Sequence, residues 1–190
     1  MSLNKQPNWI VLGVAALAII LGIFVLTLNW ATAEVSFGGF NTDIDYTMFG
    51  QELGGEDQGW YDSDADEADG IGLIRAGIPI IVVGLVALLA GTVLTAIPPS
   101  VLNKQRLLSG GVLIGAGIVL LVGTILFTIG ISSALGDVAD GSNGAFDWNI
   151  SAGMIFAYIV SVVSIGAGVL AFVMKSGPQI RIAEDAPQKA

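Results

Sequence analysis

The sequence predicts an all-α membrane protein, a four-transmembrane-helix bundle with a small extracellular β-sheet formed by the first outer loop. Three observations predict this fold. Of the 190 residues, 54% are hydrophobic and only 12% are charged, which is too apolar for a soluble domain of this size. Four apolar runs are each long enough to cross a bilayer, which takes about 20 residues. The charged residues are divided unevenly among the segments that connect these runs.

The four apolar runs are predicted to be helices because a chain inside lipid must satisfy its own backbone hydrogen bonds. The predicted spans are 9–30, 71–97, 107–132 and 149–174. The predicted connecting segments are an N-terminus (1–8), an acidic outer loop (31–70), a short inner loop (98–106), a second outer loop (133–148) and a tail (175–190). The first run resembles a signal peptide followed by a cleavage site. However, its apolar part is longer than the apolar region of a typical signal peptide, so we expect a retained helix.

The distribution of basic residues predicts the orientation. Six of the seven Lys and Arg residues lie in the N-terminus, the inner loop and the tail, whereas the first outer loop holds eleven acidic residues and no basic one. Segments rich in Lys and Arg stay in the cytoplasm. We therefore expect a multi-pass protein of the plasma membrane with both termini in the cytoplasm.

The first outer loop is about forty residues long, which is too long for a mere connection. Two runs of β-forming residues, 34–37 and 42–49, flank Gly38-Gly39. A glycine pair between two such runs is typical of a β-hairpin. The pattern therefore predicts a short hairpin that lies on the membrane surface.

Small residues at four-residue spacing predict the helix contacts. We expect Gly111 and Gly115 in the third helix, and Gly153 and Ala157 in the fourth, to let helix backbones approach closely. Packing within the bundle is the preferred interpretation, and an interface between copies of the chain is the alternative.

Several short motifs recur in one known family. Trp30 stands just past the first span, Tyr61-Asp62-Ser63 precedes Arg75 at the mouth of the second, and residues 164–170 form a glycine-rich end of the fourth. The chain thus resembles the claudin and peripheral-myelin-protein superfamily of tetraspan proteins. The resemblance implies structural roles for Trp30 and Arg75, with Phe49 standing in for the tryptophan of the family's Gly-Leu-Trp motif. The family's loop disulfide is absent because the chain has no Cys.

Arg75 is the single charged residue inside a predicted span. A charge within a membrane is costly unless it is paired or reaches the surface. Since Arg75 lies near the outer end of its span, we expect it to reach outward and to pair with a carboxylate or carbonyl of the outer loop.

The acidic loop contains one candidate metal site. Carboxylates at alternate positions can converge on one Ca²⁺ ion, which takes six to eight oxygen ligands. The residues concerned are Asp62, Asp64, Asp66 and Asp69. The spacing departs from that of an EF-hand, and a solvated acidic loop is the alternative interpretation. No cofactor other than this Ca²⁺ is expected.

Asn149-Ile150-Ser151 matches the acceptor pattern for N-glycosylation. The predicted fourth span begins at this position, at the membrane surface. We therefore expect the pattern to remain unused.

The composition excludes several function classes. No His or Cys is present, and no nucleophile–base pair or phosphate-binding loop is found, so an enzyme is not expected. A net charge of −9 argues against nucleic acid as a partner. The expected partners are the lipid bilayer and other membrane proteins or further copies of the chain. Three hypotheses remain open: a non-enzymatic tetraspan that acts by contact, an accessory subunit of a respiratory, oxygenase or channel complex, and a cation-attracting channel.

Overall fold

The computed structural model describes residues 9–53, 56–61, 69–97, 104–142 and 144–174. The helices are α1 (Trp9–Thr27), α2 (Ile71–Ala96), α3 (Gln105–Gly141) and α4 (Ala152–Val173). Within the described ranges, these four helices are long and apolar enough to cross a membrane. The structure therefore contains the four long apolar helices that the sequence predicts. The predicted segments 1–8 and 175–190, and most of 98–106, lie outside the described residues.

The four helices form a closed ring. The main contacts run from α1 to α2, from α2 to α3, from α3 to α4 and from α4 back to α1, and the α2–α3 pair is the most extensive. Large apolar side chains cover the outward faces of all four helices, among them Ile20, Val86, Ile118 and Val162. Such an outward face suits contact with lipid rather than with water.

Glycines spaced seven residues apart bring the backbones of α2 and α3 into contact. The face of α2 that meets α3 carries Gly77, Gly84 and Gly91, and the same spacing extends back to Gly70, the residue just before the helix. A Cβ atom on Gly77 would lie 2.9 Å from the Gly123 carbonyl oxygen. A Cβ atom on Gly130 would lie 2.7 Å from the Gly70 oxygen. The spacing of seven keeps the glycines on one seam as the helices wind around each other.

A second seam joins α3 to α4. A Cβ atom on Gly117 would lie 2.6 Å from the Ser161 carbonyl oxygen, and one on Gly168 would lie 2.7 Å from the Gly110 oxygen. Between these contacts the Ser164 hydroxyl donates a hydrogen bond of 2.8 Å to the Leu113 carbonyl. Helix α3 is therefore packed backbone to backbone on two sides.

The expectation that Gly111 and Gly115 pack within the bundle is wrong, whereas the alternative, an interface between copies, stays a prediction. An added Cβ atom on either would meet no described atom within 4 Å. One residue along an α-helix is a turn of about 100°, so the seam uses Gly110 while Gly111 faces outward. Gly153 and Ala157 do lie inside: a Cβ atom on Gly153 would come within 2.7 Å of the Leu28 oxygen, and Ala157 is buried.

A five-stranded antiparallel sheet covers one end of the bundle, here called the sheet end. The strands are β1 (Ala31–Phe37), β2 (Phe40–Tyr46), β3 (Gly50–Leu53), β4 (Glu56–Gly59) and β5 (Phe146–Ile150). Their order across the sheet is β4-β3-β2-β1-β5. The predicted hairpin is confirmed in β1 and β2: its two turn residues, Gly38 and Gly39, have φ of +58° and +89°. A two-residue hairpin turn of this kind needs positive φ at both positions, which glycine adopts without strain.

Three helix ends differ from the predicted ends of the spans. Helix α1 ends at Thr27 rather than at residue 30, because Trp30 bonds to the sheet instead of continuing the helix. Helix α3 continues to Gly141, through much of the predicted outer loop 133–148. Its 37 residues span about 55 Å, well beyond the roughly 30 Å hydrocarbon core. Residues 149 and 150, predicted to begin the fourth helix, belong to β5 instead, so the sheet draws on both connecting segments of this end.

The α2–α3 seam predicts different effects for two single-methyl substitutions. Gly123→Ala should lower stability by about 1–3 kcal/mol, because its Cβ atom would lie 2.9 Å from the Ile81 backbone nitrogen. Gly111→Ala, the matched control on the same helix, should leave stability unchanged or raise it, because its methyl group meets open space. Thermal unfolding in mild detergent measures both. Equal effects would show that the seam does not hold the helices together.

Candidate contact surface

Trp30 fastens the sheet to the bundle. Its side chain is 0% exposed. Its backbone N–H donates to the Tyr46 carbonyl at 2.6 Å, and its carbonyl accepts the Ser151 N–H at 2.9 Å. The indole Nε1 donates to the Val25 carbonyl at 2.8 Å. One residue therefore joins the end of α1, strand β2 and the start of α4.

An aromatic cluster continues this anchor. The ring of Phe127 in α3 lies 4.5 Å from that of Trp30 and 6.2 Å from that of Trp60. Trp60 in turn stacks on Tyr46 with ring centroids 5.9 Å apart, and its Nε1 donates to the Thr47 carbonyl at 3.1 Å. Burial raises the pKa of Tyr46 to about 12, so this phenol stays neutral at physiological pH. Of the four members of this cluster, only Trp30 was expected from the sequence to have a structural role.

The structural role expected for Phe49 is wrong. Its side chain is 53% exposed, whereas the neighbouring Met48 is fully buried. The reason is a turn at Thr47, whose hydroxyl oxygen accepts hydrogen bonds from the backbone N–H groups of Phe49 and Gly50. This turn directs Phe49 outward. Trp60, which directly follows β4, is buried against the bundle instead.

Arg75 ties the start of α2 to the sheet. Its Nε donates to the Trp60 carbonyl at 2.6 Å. The Tyr61 hydroxyl donates to the Arg75 carbonyl at 2.8 Å, and the guanidinium carbon lies 5.9 Å from the centre of the Tyr61 ring. The structure thus gives Arg75 a loop carbonyl as partner, which is one of the two kinds of partner expected from the sequence.

The two faces of the sheet differ in chemistry. Ala31, Ala33, Tyr46 and Phe146 are buried on the face toward the bundle. The opposite face is here called the acidic face, and the side chains described on it include five carboxylates: Glu34, Asp43, Asp45, Glu52 and Asp147. The residues of strands β1 to β5 include no Lys or Arg. The sheet therefore presents a surface of one charge sign.

The strand register places these carboxylates directly opposite one another. Glu34 lies across from Asp43 on one side and from Asp147 on the other. Asp45 lies across from Glu52. Directly opposed residues have Cβ atoms about 4.5–5.5 Å apart, and like charges at this distance destabilise a sheet. Since the buried face fixes the register, the strands cannot slip to relieve the repulsion. The acidic face therefore attracts cations and basic surfaces and opposes face-to-face contact with another copy.

Of the candidate Ca²⁺ ligands, Asp62, Asp64 and Asp66 lie outside the described residues. Asp69 lines an open cleft of about 650 Å³ between the start of α2 and the outer part of α3, together with Asp137 and Asp140. Among the residues that the structure describes, no three His, Cys, Asp or Glu side chains are grouped closely enough to hold a metal ion. The Ca²⁺ site therefore stays a prediction.

No protein-family model matches the chain, and no curated protein matches it. The resemblance to the claudin superfamily accordingly depends on the short motifs around Trp30, Tyr61 and Arg75 and on the glycine-rich residues 164–170.

The Trp30 contacts predict a graded loss of stability. Trp30→Phe keeps an aromatic ring and loses the Nε1 hydrogen bond, which should cost about 1 kcal/mol. Trp30→Ala also leaves a cavity beside Phe127 and should cost about 3–5 kcal/mol. Trp9→Ala, at a tryptophan that is 65% exposed, should have little effect. Thermal unfolding and proteolysis of the sheet measure the series. A Trp30→Ala variant as stable as Trp9→Ala would contradict the anchoring role.

The cross-strand carboxylates predict a dependence on salt. Glu34→Gln removes two like-charge contacts, each worth about 0.2–1 kcal/mol, and should raise the melting temperature at low salt. The gain should shrink near 1 M NaCl, where screening acts over about 3 Å. Glu34→Asp, which keeps the charge, should retain the salt dependence of the wild type. If all three proteins respond equally to salt, the repulsion is not significant.

Proposed function

We propose that the chain is a non-enzymatic, claudin-like tetraspan of the plasma membrane that acts by contact, associating with other copies or with another membrane protein. The sheet end lies outside the cell and both termini lie in the cytoplasm. The observation that carries the proposal is that the sheet bearing the acidic face is held to the helices by buried contacts. A sheet joined to three helices through Trp30, Phe127 and Arg75 is a rigid platform, and rigid surfaces lose little conformational entropy when they bind.

The bundle interior supports contact rather than transport. Five buried hydroxyl groups each donate to a backbone carbonyl; they belong to Thr92, Thr95, Thr124, Ser161 and Ser164. Among the described residues, no buried side-chain nitrogen or oxygen lacks a hydrogen-bond partner. An ion path needs polar groups that are available to the ion. The described interior offers only groups already engaged with the protein itself, which argues against the cation-channel hypothesis.

The charge distribution indicates how contacts form. Repulsion between acidic faces opposes face-to-face pairing of copies. Self-association is therefore expected side by side, through the outward helix faces and the rim of the sheet. At that rim Phe40, next to the Gly38-Gly39 turn, is 80% exposed. A large apolar side chain held out from the tip of a hairpin is a suitable contact residue.

Gentle extraction from native membranes, followed by native mass measurement, tests the proposal. The expected result is a particle heavier than one chain that contains either several copies or a second membrane protein. Phe40→Ala should weaken the association, and its exposure means that the fold should persist. Ile159→Ala, at a residue 41% exposed on α4, measures separately how much one outward helix face contributes to the association.

Three outcomes contradict the proposal. The first is a single chain, without a co-purifying protein, after both extraction and cross-linking in intact membranes. The second is cation conductance by the purified chain in a lipid bilayer, which would favour a channel. The third is a partner whose association is unaffected by Phe40→Ala but lost in Ile159→Ala, which would remove the sheet from the contact.

A further inference from the structure

The acceptor pattern Asn149-Ile150-Ser151 lies on the sheet rather than in a helix. Asn149 and Ile150 end β5, Ser151 follows as the N-cap residue of α4, and the helix begins at Ala152. The pattern therefore lies outside the fourth helix, whose first residue directly follows Ser151. Its accessibility now depends on the geometry of β5.

The side chain of Asn149 is available for chemistry. It is exposed, and among the described residues no hydrogen bond of the side-chain amide is found. Asn149 lies opposite Thr32 in the register, two residues after Asp147, and so belongs to the face of the sheet directed away from the bundle. Strand β5 is also at the end of the strand order, so β1 covers only one of its sides.

We propose that Asn149 is an N-glycosylation site. The donor is a lipid-linked glycosyl phosphate. The Asn149 Nδ2 forms a bond to the anomeric carbon of the sugar, the bond from that carbon to the phosphate oxygen breaks, and the phosphate leaves with the electron pair. One amide proton passes to a base of the transferase. The hydroxyl of Ser151 completes the acceptor pattern.

The folded chain accommodates the sugar without losing a contact. The Asn149 amide has no described hydrogen-bond partner to give up. Ser151 donates its backbone N–H to the Trp30 carbonyl and its hydroxyl to the Thr32 hydroxyl oxygen, the latter over 3.4 Å, and neither contact involves the Asn149 side chain. A bulky, solubilising glycan at this position would shield the unpaired side of β5 from pairing with another strand.

Mass measurement of the full chain purified from its native membrane tests the proposal. The expected mass exceeds the 19.5 kDa of the polypeptide. The excess should be found on the proteolytic peptide that contains Asn149. It should disappear in Asn149→Gln and in Ser151→Ala but persist in Ser151→Thr, which keeps the acceptor hydroxyl. Asn41→Gln, at an asparagine outside any acceptor pattern, should retain it.

The peptide measurement on the wild-type chain does not depend on the folding of any variant. An unmodified Asn149 peptide overturns the proposal, and so does an excess mass that survives both Asn149→Gln and Ser151→Ala. Labelling of Ser142→Cys from the cytoplasmic side alone would place the sheet inside the cell and overturn it as well.

Discussion

The architecture depends on the burial of Trp30 at the junction of helices and sheet. One of its backbone hydrogen bonds joins it to Tyr46 at the end of β2. The other joins it to Ser151, the residue just before α4. Its indole closes the end of α1 and contacts Phe127 in α3. Because one fully buried side chain satisfies these demands together, the sheet cannot move independently of the bundle. The same coupling makes the acidic face a rigid surface.

Helix α3 is the second constraint. Glycines on two of its sides allow its backbone to contact the backbones of both α2 and α4. The position of α3 therefore determines the positions of both neighbouring helices. Helix α3 continues beyond its apolar part and ends at Gly141. The chain then turns back and forms β5 at the edge of the sheet. The position of Asn149 at this edge is therefore a consequence of how far α3 continues.

Much of this fold was predictable from local patterns. Apolar runs indicated four spans, and the Gly38-Gly39 pair indicated the first hairpin. The seven-residue recurrence of Gly70, Gly77, Gly84 and Gly91 was also present in the sequence, and it would have identified the seam that the four-residue pattern at Gly111 and Gly115 missed. Helix packing depends on which face a residue occupies, and a uniformly apolar helix gives no hydrophobic periodicity from which to read that face.

The sequence by itself determined the composition of each part: apolar spans, one acidic segment without bases, and an arginine at the mouth of α2. Only the tertiary structure decided which strands pair, and therefore that Glu34 faces Asp43 and Asp147. It also decided that Trp60, rather than Phe49, fills the aromatic cluster. The physical reason is the same in both cases. Strand pairing and burial bring together residues that are far apart in the chain. Judged from local sequence, many residues could serve equally well as partners, and only the backbone hydrogen bonds and the buried volume of the whole fold select one of them.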